Sequence, residues 1–360
     1  VCTDLIVADG ERLTALAILG IRDKEQFPLL FYREDCADMA ICEDDVKEEY
    51  IARSKSVLVT GTHLSEPGVR AASKKAIRLT KKHGAKVVMD VDYRPVLWGL
   101  TTPELGEQRF VANEAVTGEL QTIIADCDLI VGTEEELHIL GGTTNTLEAI
   151  RKVRELSDAV IVCKRGELGC TVYEGEIGNS LDDGIFGESF RIEVFNVLGA
   201  GDAFMAGFLR GWLRGRPLSE CCTWANACGA LVVSRHGCAP SIPSWDELQY
   251  FLENGSDYLA LRHDTRLEHV HWATNRKNDY PDLKILAIDH RVQFEQLADS
   301  LSVDRGKISR LKELASKALH DVARGEPGFG ILLDGQYGDD ALAAMGDYPY
   351  WIGRPIEASG

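Results

Sequence analysis

The sequence predicts an α/β protein: a largely parallel, doubly wound sheet with a pair of β-strands before it and the start of a second α/β unit after it. Three observations predict this. Four short blocks rich in Val and Ile, SVLVTG, KVVMDVD, CDLIVG and AVIVCK, alternate with helical stretches. Continuous apolar strands of that kind are buried on both faces of a parallel sheet. Ahead of them, two strand-like runs flank a polar turn, RDKEQ, and beyond about residue 255 the composition turns polar before strand-like blocks resume.

In chain order, residues 13–34 read as two strands, LTALAILGI and PLLFYRE. SVLVTG (56–61) is a buried strand, and a helix is expected over 67–83, with Pro67 at its start and Gly84 just past its end. KVVMDVD, CDLIVG and AVIVCK supply three more strands, the second followed by an acidic helix start, TEEELHIL. SFRIEVF (189–195) reads as a further strand by its alternation. The loop NVLGAGD then opens a long apolar helix, and helices over about 219–234 and 244–253 close the unit. This divides the chain into a first unit over 1–254, a connector over 255–282 and a second unit over 283–360, whose strands are KILAIDHR, ILLDGQYGDD and YWIGRPIE. Ligands of parallel sheets bind beyond the carboxyl ends of the strands. That singles out Thr62, residues 92–94, 133–136 and 164–166.

Composition bounds the function. The chain has 360 residues and a formal net charge of -18. Nucleic acid is therefore excluded as the main partner, because phosphate neutralisation needs clustered Lys and Arg. A small anion is not excluded, since salt screens a distant surface over about 8–10 Å. No apolar run reaches the roughly 20 residues of a membrane span, so no membrane partner is expected. No secretory leader is visible. None of the ten cysteines forms a CxxC pair, and several sit in apolar strands. They read as reduced core residues of a cytoplasmic protein rather than zinc ligands. The chain begins at Val1 and ends soon after a strand-like WIG, and both ends read as cuts through a longer protein.

The sharpest chemical signal is Gly199-Ala200-Gly201-Asp202, between a strand and a helix. Small residues let backbone approach a phosphate, and free N–H groups at a helix start point at the anion, aided by the helix dipole. An Asp there can take the proton of an attacking hydroxyl. Phosphoryl transfer needs that pairing of a positioned base with donors that steady phosphate charge. The plainer alternative is a glycine turn with Asp202 as a cap.

The stretch NVLGAGDAFMAGFLRG resembles the C-terminal signature of the PfkB (ribokinase-like) carbohydrate kinases, Asp-Thr-x-Gly-Ala-Gly-Asp, with Asn196 and Val197 where the signature has Asp-Thr. The resemblance implies Asp202 as catalytic base, Gly199, Ala200 and Gly201 as the anion hole, ATP as phosphoryl donor and Mg2+ as its ion. Thr133–Glu136 lies where the family has Asn-x-x-Glu. This implies Glu136 acting on the magnesium–phosphate network through water and Thr133 at the nucleotide side, unless the segment is simply an acidic first turn. Lys164, Gly166 and Gly169 in KRGELG resemble the nucleotide-side strand and turn, and Asn226 in WANACGA resembles the helix bordering the adenine pocket. Packing and a plain β-turn are the alternatives.

Arg33 after LLFY and Arg94 in DYRPVLW stand at strand ends. Their planar forks of donors suit a carboxylate. FYRE…DVDYRPVLW resembles the sugar-acid kinases of the family, in which the matching arginines hold the acid. With GIRDKEQFPLLFYREDCADMA, LIVGTEEELHILGG and WANACGALVVSRHGCAP, nearly the whole chain resembles the fused bacterial 5-dehydro-2-deoxygluconokinases. That implies a small-molecule sugar acid as substrate, a homo-oligomer through lid strands, and a kinase lacking its N-terminal part. The second unit resembles the start of a TIM-barrel-like, aldolase-type domain, with Asp289-His290-Arg291, Asp334 and Glu357 at its strand ends. Three other readings stay open: a kinase of 2-keto-3-deoxygluconate or another sugar, a keto-sugar-phosphate aldolase carried by that unit, and a non-catalytic regulatory protein on a kinase fold. His263, His269 and His271 lack acidic or Cys partners at ligand spacing and are not read as a metal site.

Overall fold

The computed structural model describes residues 5–22, 29–102, 108–275, 282–346 and 348–355, and the chain divides into two compact units at Asn275/Arg276. The first unit opens with β1 (Leu16–Leu19) and β2 (Leu29–Tyr32), an antiparallel pair in which Leu16 lies opposite Tyr32. After the short helix α1 (Glu48–Ile51), strands β3 (Ser56–Thr60), β4 (Lys86–Asp90), β5 (Leu129–Thr133) and β6 (Val160–Lys164) run parallel in that order. Strands β7 (Cys170–Tyr173) and β8 (Ile185–Gly187) then extend the six-stranded sheet antiparallel.

Helices α2 (Pro67–Lys82), α3 (Glu114–Ile124), α4 (Glu134–Gly141) and α5 (Thr146–Leu156) link the parallel strands and cover one face. Their Ile77, Leu120, Leu137 and Ile150 pack on Val87, Met89, Ile130 and Ile161. The intervening Val88, Leu129, Val131 and Val162 point the other way, onto Phe204, Met205 and Phe208 of α6 (Ala200–Trp212) and Cys221 of α7 (Leu218–Val233). Neighbouring residues of one strand thus feed two cores, which is why these strands are apolar at every position.

Two sequence expectations change. SFRIEVF (189–195) is not a strand: sheet pairing stops at Gly187. Its backbone N–H groups instead reach the Leu259 carbonyl from Glu193 (2.7 Å) and the Val233 carbonyl from Phe195 (2.7 Å). Residues 255–275, read as the start of a connector, lie in the first unit, ending in α9 (Thr265–Asn275), which packs against α8 (Trp245–Asn254). There Glu247 bridges the buried Arg235 and His271, each at 2.6 Å, and Arg235 also reaches Glu268 at 2.6 Å.

The second unit has a three-stranded parallel sheet in the order β9 (Lys284–Ala287), β10 (Phe329–Leu332), β11 (Trp351–Gly353), with helices α10 (Val292–Ser300), α11 (Gly306–Ala323) and α12 (Asp339–Met345). Of its predicted strand-end residues, Asp334 is fully buried against Lys312 of α11, whose ammonium also donates to the His290 carbonyl at 2.9 Å. Glu357 lies outside the described residues. No helix among the described residues is long and apolar enough to cross a membrane.

Candidate active site

The carboxyl ends of β4, β5 and β6 converge charged side chains that none of the three strands could bury alone. Lys164, the last residue of β6, sets its ammonium 3.4 Å from Asp90 at the end of β4 and 3.6 Å from Glu136 in the first turn of α4. Arg94 reaches Glu136 at 3.7 Å and Asp92 at 3.6 Å. Asp92 takes a left-handed backbone (φ 32°), and the Thr62 hydroxyl donates to its carboxylate (3.0 Å) and to its carbonyl (2.7 Å).

Glu136 also closes its own helix. Thr133 is the N-cap: its hydroxyl accepts the Glu136 N–H at 3.2 Å, and the Glu136 carboxylate accepts the Thr133 N–H at 2.7 Å. This reciprocal box satisfies two otherwise orphaned donors. Burial acts to raise the Glu136 pKa, but Lys164 and Arg94, together with that N–H, outweigh it and hold the carboxyl below its usual range. Asp90 goes the other way: burial, against the pull of Lys164, pushes it up to about 7.

The Asp90 shift has a signed consequence. From its ordinary value of 3.8 up to about 7, the folded protein holds a proton that the unfolded chain releases. This group's contribution therefore favours folding fully below pH 3.8 and is lost as pH rises through about 7. Asp90→Asn, which cannot titrate, is expected to gain stability relative to wild type between pH 5 and pH 8, with a slope of up to about 1.4 kcal/mol per pH unit. Urea unfolding at both pH values measures it; parallel wild-type and variant curves would contradict the shift.

Asp202 sits in the first turn of α6 and is exposed, with no hydrogen bond or ion pair among the described residues. Gly199 precedes it at φ 85°, where a side chain is strained, and a Cβ there would stand 2.5 Å from the Cys238 sulfur. Lys164 is the link to the carboxylate cluster: its Nζ would lie 3.6 Å from a Cβ on Gly201. Of the three residues expected to form the anion hole, Ala200 has its N–H turned to the Val197 carbonyl at 3.3 Å. The N–H groups of Gly201 and Asp202 stand in the first turn, where helical geometry offers them no partner.

The structure thus brings together Asp202, Gly199, Ala200, Gly201, Lys164, Glu136, Thr133 and Arg94. Arg33 belongs to a second cluster, paired with Asp38 at 2.6 Å, and His63 lies within the electrostatic reach of Arg33, Asp38 and Asp92. The other residues expected on the nucleotide side gather elsewhere. Gly166 and Gly169 have positive φ (56° and 84°), and a Cβ on Gly169 would collide with the Gly187 carbonyl. Asn226 donates to the carbonyls of Gly187 (3.1 Å) and Glu188 (2.9 Å), tying α7 to the end of β8. Its amide is thus engaged as a tie between elements. Asp90 and Cys238 were missed by sequence reasoning. A lone carboxylate closing the apolar run KVVM was a usable signal for Asp90; nothing in the sequence points to Cys238.

Residues 1–245 match the family model described as "pfkB family carbohydrate kinase", and residues 247–360 match one described as "Uncharacterized protein conserved in bacteria (DUF2090)". The chain is 32% identical over 255 residues to the 5-dehydro-2-deoxygluconokinase of Halalkalibacterium halodurans, covering 70% of this chain and 72% of that protein. The enzyme of the same name from Bacillus subtilis is 28% identical over 255 residues, with 70% and 73% covered. Among solved structures, a putative ribokinase II from E. coli in complex with ATP and Mg2+ superposes with a TM-score of 0.57 at 20% identity, covering 68% of this chain and 72% of that one. A double mutant of Vibrio cholerae fructokinase bound to fructose, ADP and potassium ion gives 0.55 at 20% identity, covering 68% and 74%. These two likenesses concern the fold.

Proposed function

The chain belongs to the pfkB family of carbohydrate kinases, phosphotransferases acting on a sugar hydroxyl, and from that premise we propose that it phosphorylates the terminal hydroxyl of 5-dehydro-2-deoxy-D-gluconate with ATP, Asp202 acting as base. The observation that carries this reading is the position of Asp202. It is an exposed carboxylate without a hydrogen bond or ion pair among the described residues, directly after a glycine loop at a helix start, with the buried Lys164 beside the neighbouring Gly201.

In this reading the Asp202 carboxylate takes the hydroxyl proton as the sugar oxygen bonds to the γ-phosphorus. The bond from that phosphorus to the bridging oxygen breaks, and ADP leaves. The N–H groups of Gly201 and Asp202 and the Lys164 ammonium face the charge that spreads over the transferring oxygens. Arg94 holds the acid group of the sugar. Its two contacts, at 3.6 and 3.7 Å, are longer than a direct charge-assisted bond, so a substrate carboxylate competes for it on good terms. Arg33 serves the same end from just past β2.

Mg2+ suits this donor set. The described residues hold no group of three or more ligating side chains close enough for an ion. Magnesium characteristically keeps several waters and rides on substrate phosphates rather than in an all-protein cage. Glu136, acting through water, and Asp90 would face it, and the ion would neutralise phosphate charge.

ADP release measured with ATP and Mg2+ tests the reading, with 5-dehydro-2-deoxygluconate, 2-keto-3-deoxygluconate, fructose and ribose offered separately. Turnover confined to the first sugar is expected. Equal or better turnover of 2-keto-3-deoxygluconate would reassign the substrate, and turnover of fructose or ribose alone would remove the acid-binding role of the arginines.

A further inference from the structure

Asn196 stands just ahead of the glycine loop and is only 2% exposed. Its side-chain oxygen accepts the Leu198 N–H at 2.7 Å. Its amide nitrogen donates to the Arg235 carbonyl and, at 3.3 Å, to the Gly237 carbonyl. One amide therefore holds residues 196–199 face to face with 235–238, where the Cys238 sulfur abuts Gly199. The orientation of that amide is forced by chemistry. Turned over, its oxygen would oppose two carbonyl oxygens and its nitrogen would oppose an N–H.

Two carbonyl oxygens aimed at one buried point demand a positive partner. Asn196 brings hydrogens. The carbohydrate-kinase signature carries Asp at this place, and a carboxylate of the same shape brings none. Three oxygens would then converge with one net negative charge between them, a hard-oxygen set that a single positive charge balances. We propose that Asn196 is a positioning residue that takes the place of a monovalent cation, so that the loop carrying Asp202 is held by an amide and works without such an ion. This rests on reading residues 199–202 as the transfer loop.

The test compares wild type, Asn196→Asp and Asn196→Ala in potassium chloride and in tetramethylammonium chloride at matched ionic strength, by ADP release and by melting temperature. Wild type is expected to show the same rate and the same melting temperature in both salts. Asn196→Asp is expected to lose about ten- to a hundredfold in rate in tetramethylammonium, the scale of a broken buried polar contact. It should recover rate and melting temperature as potassium is added, while Asn196→Ala stays impaired in both salts. A wild-type rate or melting temperature that rises with potassium overturns the proposal, as does an Asn196→Asp protein indifferent to the salt. Should Asn196→Asp fail to fold, the wild-type comparison still decides. Should no sugar be turned over in any salt, the kinase reading fails by itself, and the melting temperatures decide the role of Asn196.

Discussion

Asp202→Asn is expected to fold as the wild type does and to lose phosphoryl transfer by about a hundred- to ten-thousandfold, the range that a positioned general base supplies. Folding should survive because the side chain is exposed and bonds to nothing among the described residues. The variant forgoes only a favourable charge near the start of α6, worth about 0.3–1 kcal/mol. Asn keeps the shape and can still orient the hydroxyl but cannot take its proton, so the loss should fall on kcat and leave KM for the sugar nearly unchanged. Steady-state ADP release beside a thermal melt measures both. A rate within threefold of wild type would remove Asp202 from the chemistry. A rise in KM alone would make it a binding residue.

The second large effect concerns the second unit. Lys312 and Asp334 are both fully buried, and the Asp334 carboxylate also accepts the N–H groups of Gln336 (2.9 Å) and Tyr337 (2.8 Å). Burial acts to raise the Asp334 pKa, but the Lys312 contact and those N–H groups hold it below the usual carboxylate range. Lys312→Met keeps most of the side-chain volume and strands a buried charge, so it is expected to destabilise this unit by about 3–5 kcal/mol. Adding Asp334→Asn removes the stranded charge and should restore more than half of the loss. Hydrogen exchange of β10 and α11 in the single and double variants reads this directly. A single variant as protected as wild type would show that the pair contributes nothing.

Much of the first unit was legible because its strands are fed into two cores at once. Val87, Val88 and Met89 are all buried, and such runs announce themselves without any knowledge of neighbours. The alternation in SFRIEVF was equally real, since Phe190 and Ile192 do pack on the cluster around Phe251. Alternation reports which side chains are covered, however, and carries no information on whether the backbone finds a sheet partner. The polar segment before Asn275 misled for the opposite reason. His271 is buried there, but as a member of an ionic network with Arg235 and Glu247, and hydropathy registers that composition as exposed.

The site was legible to the extent that strand ends could be counted. Residues 92–94, 133–136 and 164–166 were singled out on that ground, and Arg94, Glu136 and Lys164 do meet. What could not be read is who holds whom. Arg94 reaches Glu136, Lys164 reaches Asp90 and Glu136, and Asn226 is committed to carbonyls at and just past the end of β8, 38 residues or more away in sequence. Such pairings depend on the tertiary arrangement and leave no local pattern.

The reciprocal box of Thr133 and Glu136 makes one carboxylate answer to two different demands, closing a helix and balancing the charges of Lys164 and Arg94. Losses of activity from changes at Glu136 will therefore come mixed with losses of folded protein, and a survey of variants scored only by growth would count them as one. The distinction becomes visible with Thr133→Ser, which keeps the cap hydroxyl, set beside Glu136→Gln, which keeps an acceptor and discards the charge.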